Sequence, residues 1–228
     1  NAFVHNEIGI QLRYAHREQF IEGNYYRTSL GSKLPIFTFY AGLGIKNMLS
    51  SDYSFTKFRF TITDHVKLPP FGTVHYQLFA GKTFGTLPYP LLEIHPGNEF
   101  YYYNPSNFNL MYRYEYLSDT YTGAIVEHSM GSSFFKYIPL IKKMKVRSFW
   151  NAKFLIGSLQ ESNMNLNLNT GYPFQHLANK PYMELGTGVE NIFKVLRLDL
   201  VWRALPHQRE FESSARRIGL FGSFKLTF

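Results

Sequence analysis

The sequence predicts an all-β protein, an antiparallel transmembrane β-barrel, with residues 1–228 forming the C-terminal half of a larger barrel. Three observations predict it. Apolar and polar residues alternate with period two in about nine segments of roughly ten residues, the length that crosses a bilayer at a tilt. Short connections alternate with long ones, as periplasmic turns alternate with surface loops. The chain ends on an aromatic residue, Phe228, in register with the apolar face of its last segment, the form of a C-terminal assembly signal.

The segments follow in order. Ile8, Ile10, Leu12 and Tyr14 alternate with Glu7, Gly9, Gln11 and Arg13. Phe37, Phe39, Ala41, Leu43 and Ile45 alternate with Thr38, Tyr40, Gly42, Gly44 and Lys46. Phe58, Phe60 and Ile62 define the third segment, and Val74, Tyr76, Leu78 and Ala80 the fourth. Residues 120–130 form the fifth. Residues 146–157 set Val146, Trp150, Ala152, Phe154 and Ile156 against Arg147, Asn151, Lys153 and Gly157. Residues 182–193 set Met183, Leu185, Val189 and Phe193 against Glu184, Gly186, Gly188 and Glu190. Leu196, Leu198, Leu200 and Trp202 then oppose Arg197, Asp199, Val201 and Arg203. In the last segment Ile218, Leu220, Gly222, Phe224, Leu226 and Phe228 share one face. The opposite faces carry charges in segment after segment, with glycine repeated among them. That suits a crowded lumen, and it directs the apolar faces to lipid.

Composition narrows the alternatives. The chain has 228 residues, 18% aromatic, with 24 Lys and Arg against 16 Asp and Glu. No stretch approaches the ~18 consecutive apolar residues of a spanning helix. Cysteine is absent, which excludes a disulfide scaffold and a thiolate metal site. The chain starts Asn1-Ala2-Phe3 without Met or a leader. With an odd strand number and the requirement that a barrel leave no edge in lipid, this predicts a fragment of a larger barrel.

Residues 84–119 break the alternation. Leu87, Pro88, Tyr89, Pro90, Leu91, Leu92, Glu93, Ile94, His95, Pro96, Gly97 and Asn98 are apolar and proline-rich, and Tyr101, Tyr102, Tyr103, Asn104 and Pro105 follow. Prolines at 88, 90, 96 and 105 forbid a central strand. So apolar a loop is expected to fold against the inner barrel wall or its rim. Space is expected there at Gly81, Gly186 and Gly188, and basic partners for Glu93 and Glu99.

No chemistry-bearing set emerges. The histidines, at 5, 16, 65, 75, 95, 128, 176 and 207, lack metal-ligand spacing. Glu93 and His95 read as structural or rim polar groups. His128-Ser129-Met130-Gly131 is not a nucleophile elbow. Gly42-Leu43-Gly44 and Gly186-Thr187-Gly188 lie within strands, where no helix follows to bind phosphate. The basic run Lys136, Lys142, Lys143, Lys145 and Arg147 around Ile138–Ile141 reads as a connection at the membrane surface, with lysines near lipid phosphates, rather than a nucleic-acid site. No catalytic, cofactor or metal residue is assigned, and the protein is expected not to be an enzyme.

Four runs carry a family resemblance: LPYPLLEIHPGN (87–98), NLMYRYEYLSD (109–119), FFKYIPLIKKMKVR (134–147) and KPYMELGTGVENIFKVLRLDLVWR (180–203). They resemble a Bacteroidetes-type family of large outer-membrane proteins named carboxypeptidase-like regulatory domain-containing proteins, most firmly from Phe79 to Phe228. The resemblance implies a small N-terminal β domain and a periplasmic part ahead of a C-terminal barrel. The strand order after residue 119 is more distantly similar to the outer-membrane assembly-factor and two-partner-secretion transporter superfamily. Those barrels have sixteen strands, and their sixth surface loop enters the lumen; residues 84–119 would be that loop. The Arg-Gly-aromatic motif of that superfamily's loop is absent here.

The functional expectation is a non-enzymatic protein of the bacterial outer membrane, in transport, assembly or export of surface proteins or lipids. The alternative is a structural or accessory barrel subunit of an envelope complex that passes nothing. The partners expected are outer-membrane lipid and lipopolysaccharide, the barrel assembly machinery reading the Phe228 strand, and other envelope proteins, with no nucleic acid.

Overall fold

The computed structural model describes residues 3–131, 146–167, 174–206 and 217–224. In chain order the strands are β1 (Ile8–Ala15), β2 (Gln19–Glu22), β3 (Arg27–Gly31), β4 (Ile36–Gly44), β5 (Phe55–Lys67), β6 (Thr73–Phe84), β7 (Glu93–Ile94), β8 (Leu117–Ser118), β9 (Thr120–Gly131), β10 (Arg147–Ser158), β11 (Tyr182–Ile192), β12 (Leu196–Leu205) and β13 (Ile218–Phe224). One short helix, α1 (Glu161–Asn167), lies between β10 and β11.

The chain is mostly antiparallel β-structure, dominated by a single nine-stranded sheet in the order β1-β4-β5-β6-β9-β10-β11-β12-β13. These nine strands are the nine segments that alternation marks. Every neighbouring pair is antiparallel, and strands adjacent in the sheet follow one another in sequence. Among the described residues β1 and β13 are the edges of this sheet. The Phe228 end of the last segment lies outside the described residues, and so do 132–145 of the basic run.

A hairpin that alternation does not disclose, β2 paired with β3, projects between β1 and β4. Its strands are too short to establish a period, and nearly all of its residues are exposed.

The connections do not divide cleanly by length: the turns 68–72 and 193–195 lie at one end of the sheet together with the connection 16–35 that carries the β2–β3 hairpin, and the connections 45–54 and 85–119 leave the other end. Both short turns have a local cause. In the first, Gly72 takes a φ of +96°, where a Cβ would overlap the Ser129 carbonyl oxygen. In the second, Lys194 N–H donates to Asn191 O at 3.1 Å while Asn191, Phe193 and Lys194 hold positive φ.

One face of the sheet is apolar and exposed; the other is covered and mixes charged residues with buried Phe149, Leu155, Tyr182 and Val201. On β12 Leu198, Leu200 and Trp202 are 43%, 48% and 48% exposed, whereas Arg197, Asp199 and Arg203 are 4%, 0% and 2% exposed. The same holds on β10, where Trp150 and Phe154 are exposed and Asn151 and Lys153 buried. The charged face is the covered one, and the cover is the connection 85–119.

Candidate functional site

The site is the charged face of β9 to β12 together with the segment that lies on it. Pairing register puts its residues in rungs across the strands. One rung runs Ile125, Lys153, Glu184, Arg203. The next runs Glu127, Asn151, Gly186, Val201. Opposite charges thus stand side by side on neighbouring strands, where cross-strand pairs stabilise a sheet.

Each charge of the first rung grips the covering segment. Glu184 accepts the backbone N–H groups of Asn109 at 2.8 Å and Leu110 at 2.7 Å, and the Tyr182 hydroxyl at 2.6 Å. Lys153 Nζ donates to the backbone carbonyls of Asn104 (2.9 Å) and Asn107. Arg203 donates to Glu115 at 2.9 Å and to the Tyr116 hydroxyl at 2.9 Å, and its guanidinium lies 4.7 Å from the Tyr182 ring centroid. A fourth anchor lies on β5, where Arg59 pairs with Glu93 at 2.8 Å. Buried charges are tolerable only when paired and hydrogen-bonded, and here the segment supplies the partners, backbone for Glu184 and Lys153 and side chains for Arg203 and Arg59.

Beside them Arg197 forms the densest cluster. It pairs with Glu127 (2.8 Å), Asp199 (2.8 Å) and Glu190 (3.7 Å). Its guanidinium lies between the Phe149 ring (3.8 Å) and the Tyr103 ring (4.8 Å). Burial raises the Tyr103 hydroxyl's pKa well above its ordinary value, and the Glu127 and Asp199 charges add to it.

The segment has an ordered interior of its own. Asn109 Oδ1 accepts from Asn98 Nδ2 at 2.8 Å and from the Asn104 N–H at 2.9 Å. β7 pairs with β8, closing 94–117 into a compact loop. Phe108, Met111 and Tyr116 pack with Tyr121, Leu155, Leu177 and Tyr182 of the wall and the neighbouring connection. Leu87, Leu91 and Leu92 pack with Phe55, Leu117 and Leu159. The connection 159–181 clamps the base: Asn163 Oδ1 accepts the Leu87 N–H at 2.8 Å, and Asn167 Nδ2 donates to Leu87 O at 2.9 Å. Asp119 accepts from Gln160 N–H at 2.6 Å and from Asn163 Nδ2 at 3.0 Å.

Of residues 87–98, Leu87, Leu91, Leu92, His95 and Asn98 are buried; Pro88, Tyr89, Glu93, Ile94 and Gly97 are half-buried; Pro90 and Pro96 are exposed. His95 Nε2 lies 3.0 Å from Ser118 Oγ and its ring meets the Tyr121 ring edge-on. Burial lowers the His95 pKa to about 4, so the ring is neutral at ordinary pH. Both residues are fully enclosed, so the pair makes a packing contact. Among the described residues no group of three or more His, Asp and Glu is placed to hold a metal.

Two expectations for this segment need correction. Glu99 and Phe100 are exposed; the buried part continues instead through Tyr103 and Phe108 to Asp119. The space at Gly81, Gly186 and Gly188 is filled by the wall itself, by Tyr121, Asn151 and Phe149. The segment uses Gly157, facing Ser118, and Gly219, facing Leu110. The anchoring roles of Lys153 and Glu184 were not legible, because alternation assigns a face but not a partner. Their one sequence signal is a charge inside an alternating segment, on the face opposite the apolar residues.

A protein-family model described as the C-terminal domain of a family of unknown function (DUF5686) matches residues 5–161. The match begins well ahead of Phe79 and stops before the run 180–203 on which part of the family resemblance rests. A search of curated proteins found no match. With more than half of its length covered by that one model, including the whole of the segment 84–119, the chain belongs to the DUF5686 family, as its C-terminal domain.

Proposed function

We propose that this chain is part of the wall of a bacterial outer-membrane β-barrel, non-enzymatic, acting in transport, assembly or export of surface proteins or lipids. Residues 84–119 then form a lumenal plug. The observation that carries the reading is the reversed dressing of the sheet: ion-paired Arg197, Asp199 and Arg203 are enclosed while Leu198, Leu200 and Trp202 stand outward. In water that arrangement would leave apolar surface unburied at roughly 25 cal/mol per Å2; in lipid it is the favourable one.

The outward apolar band supports it further. On β5 the band is Phe58, Phe60 and Ile62, bounded by Asp64. The rung of Phe60 meets β9 at Thr122, whereas the rung of Leu200 meets β9 at His128 and β5 at Val66. The apolar centre is therefore offset along the strand direction between β5 and β12. A slab of constant height crossing tilted strands gives that offset.

Strand direction constrains the whole barrel. β1 and β13 run the same way, so an all-antiparallel ring needs an odd number of further strands between them; seven would complete sixteen. The reading includes the Bacteroidetes-type architecture with a carboxypeptidase-like regulatory domain, contact with phospholipid and lipopolysaccharide, and recognition of the C-terminal strand by the assembly machinery.

The test is planar-bilayer conductance of the full-length protein with and without residues 87–116. Transport through a plugged lumen predicts a closed or low-conductance state that opens on deletion. A folded barrel that stays non-conducting after deletion favours the accessory reading, in which the barrel docks envelope partners and passes nothing.

A further inference from the structure

The outward face carries a groove of about 560 Å3 near the short-turn end of β9 to β12. Met130, Val189, Leu198, Leu200 and Leu220 wall it, and Ser148 lies among them. Two irregularities in pairing flank it, one between β9 and β10 at Ser148/Phe149, the other between β11 and β12 at Val189/Ile192. Bulges of this kind bend a strand and increase its twist locally. Here they part the apolar side chains of an otherwise continuous surface.

The polar atoms set the chemistry. The Thr187 hydroxyl turns back to donate to Phe149 O at 3.0 Å. The Ser148 hydroxyl is buried, borders the groove, and has no hydrogen-bond partner among the described residues. A buried hydroxyl without a partner is unfavourable, and in an apolar groove the natural remedy is an acceptor on an apolar ligand. Ser148 is the second residue of β10, and Leu198 is the third of β12. Both therefore stand at a strand end, the level of a bilayer's acyl esters rather than its midplane.

We propose that this groove is a lipid site. It holds one acyl chain of a glycerophospholipid from the leaflet at the short-turn end, and Ser148 Oγ–H donates to the chain's ester carbonyl. The inference rests on the membrane reading above, which places this face in lipid. It adds a fixed lipid where that reading requires only a fluid surround.

The experiment uses the full-length protein in nanodiscs of phosphatidylethanolamine and phosphatidylglycerol. Trace diester phospholipid carries a photoreactive group near its ester, and labelled residues are mapped by mass spectrometry. The expected result is strong labelling at Met130, Val189, Leu198 and Leu220 relative to Phe37 and Leu78, outward residues on the far side of the sheet one step toward the same end from its apolar centre. Ser148→Ala should lower that enrichment roughly fivefold, the worth of one hydrogen bond. A diether analogue, which lacks the carbonyl, should give the lower value with either protein. Leu198→Trp should fill the groove and abolish the enrichment. Equal labelling of the whole outward face, or enrichment indifferent to Ser148→Ala and to the ether linkage, overturns the groove while leaving the membrane reading intact. No labelling anywhere on the outward face overturns both.

Discussion

Glu184 of β11 accepts the backbone N–H of Leu110 at 2.7 Å, from near the start of a strand to the middle of a loop 74 residues earlier. The carboxylate also holds the neighbouring Asn109 N–H. A single buried side chain thus fixes two backbone donors that have left regular structure. Removing it strands both.

Glu184→Ala should destabilise the docked segment by about 2–6 kcal/mol, from two orphaned N–H groups at ~1–3 kcal/mol each. Glu184→Gln retains one acceptor and should cost less. Hydrogen exchange at Asn109 and Leu110 in the refolded protein reads both, with protection lost in the first variant and retained in the second. Unchanged protection in Glu184→Ala would show that the segment is held elsewhere.

Leu200→Arg puts a charge on the outward face and should cost ~2–4 kcal/mol of folding into bilayers, as a lipid-facing midplane charge does. Asp199→Leu removes one of the carboxylates paired with Arg197 at 2.8 Å, leaving Glu127 and Glu190. It should weaken the inner cluster and leave insertion possible. Urea titration of protein folded into lipid vesicles measures both. A neutral Leu200→Arg would mean that this face meets no lipid.

Gly81→Val should lower stability by about 1–3 kcal/mol through overpacking. A Cβ at Gly81 would overlap the Tyr121 ring, whose hydroxyl accepts a hydrogen bond from Arg59 Nε at 3.2 Å. Thermal unfolding checks the loss, and the double variant Gly81→Val with Tyr121→Ala should recover part of it.

Docking of the segment should depend on pH through His95. Its folded pKa is depressed to about 4, against about 6.5 for an unfolded histidine. The released state therefore binds the proton first. The stability due to the neutral ring is complete above about pH 6.5 and falls as pH drops toward 4, by roughly 3 kcal/mol in all. Proteolysis within 98–110 should accelerate over that window, and His95→Gln should flatten the profile.

Deleting Phe228 should reduce insertion in cells and leave the folded protein's resistance to denaturant unchanged. The sequence row Ile218, Leu220, Phe224 continues in register to this residue, and in the proposed reading the assembly machinery recognises that strand. Insertion equal to that of the intact protein would remove the signal role.

Period two in the sequence determined the nine strands and which residues share a face, because a strand's side chains alternate whatever surrounds it. It also determined that 84–119 could not be a central strand, since prolines 88, 90, 96 and 105 cannot serve a ladder. The charges and glycines repeated on one face pointed that face inward, but the tertiary structure alone decided which residues of 84–119 cover it and which charges they meet. It also decided that Lys153, Glu184 and Arg203 form one rung, since register depends on the turns and bulges between strands rather than on any one strand. The partners of that rung, the Asn104 and Asn107 carbonyls and the Asn109 and Leu110 N–H groups, are backbone atoms that every residue type possesses. No pattern of side chains could have marked them, and only the path of the chain brings them within reach.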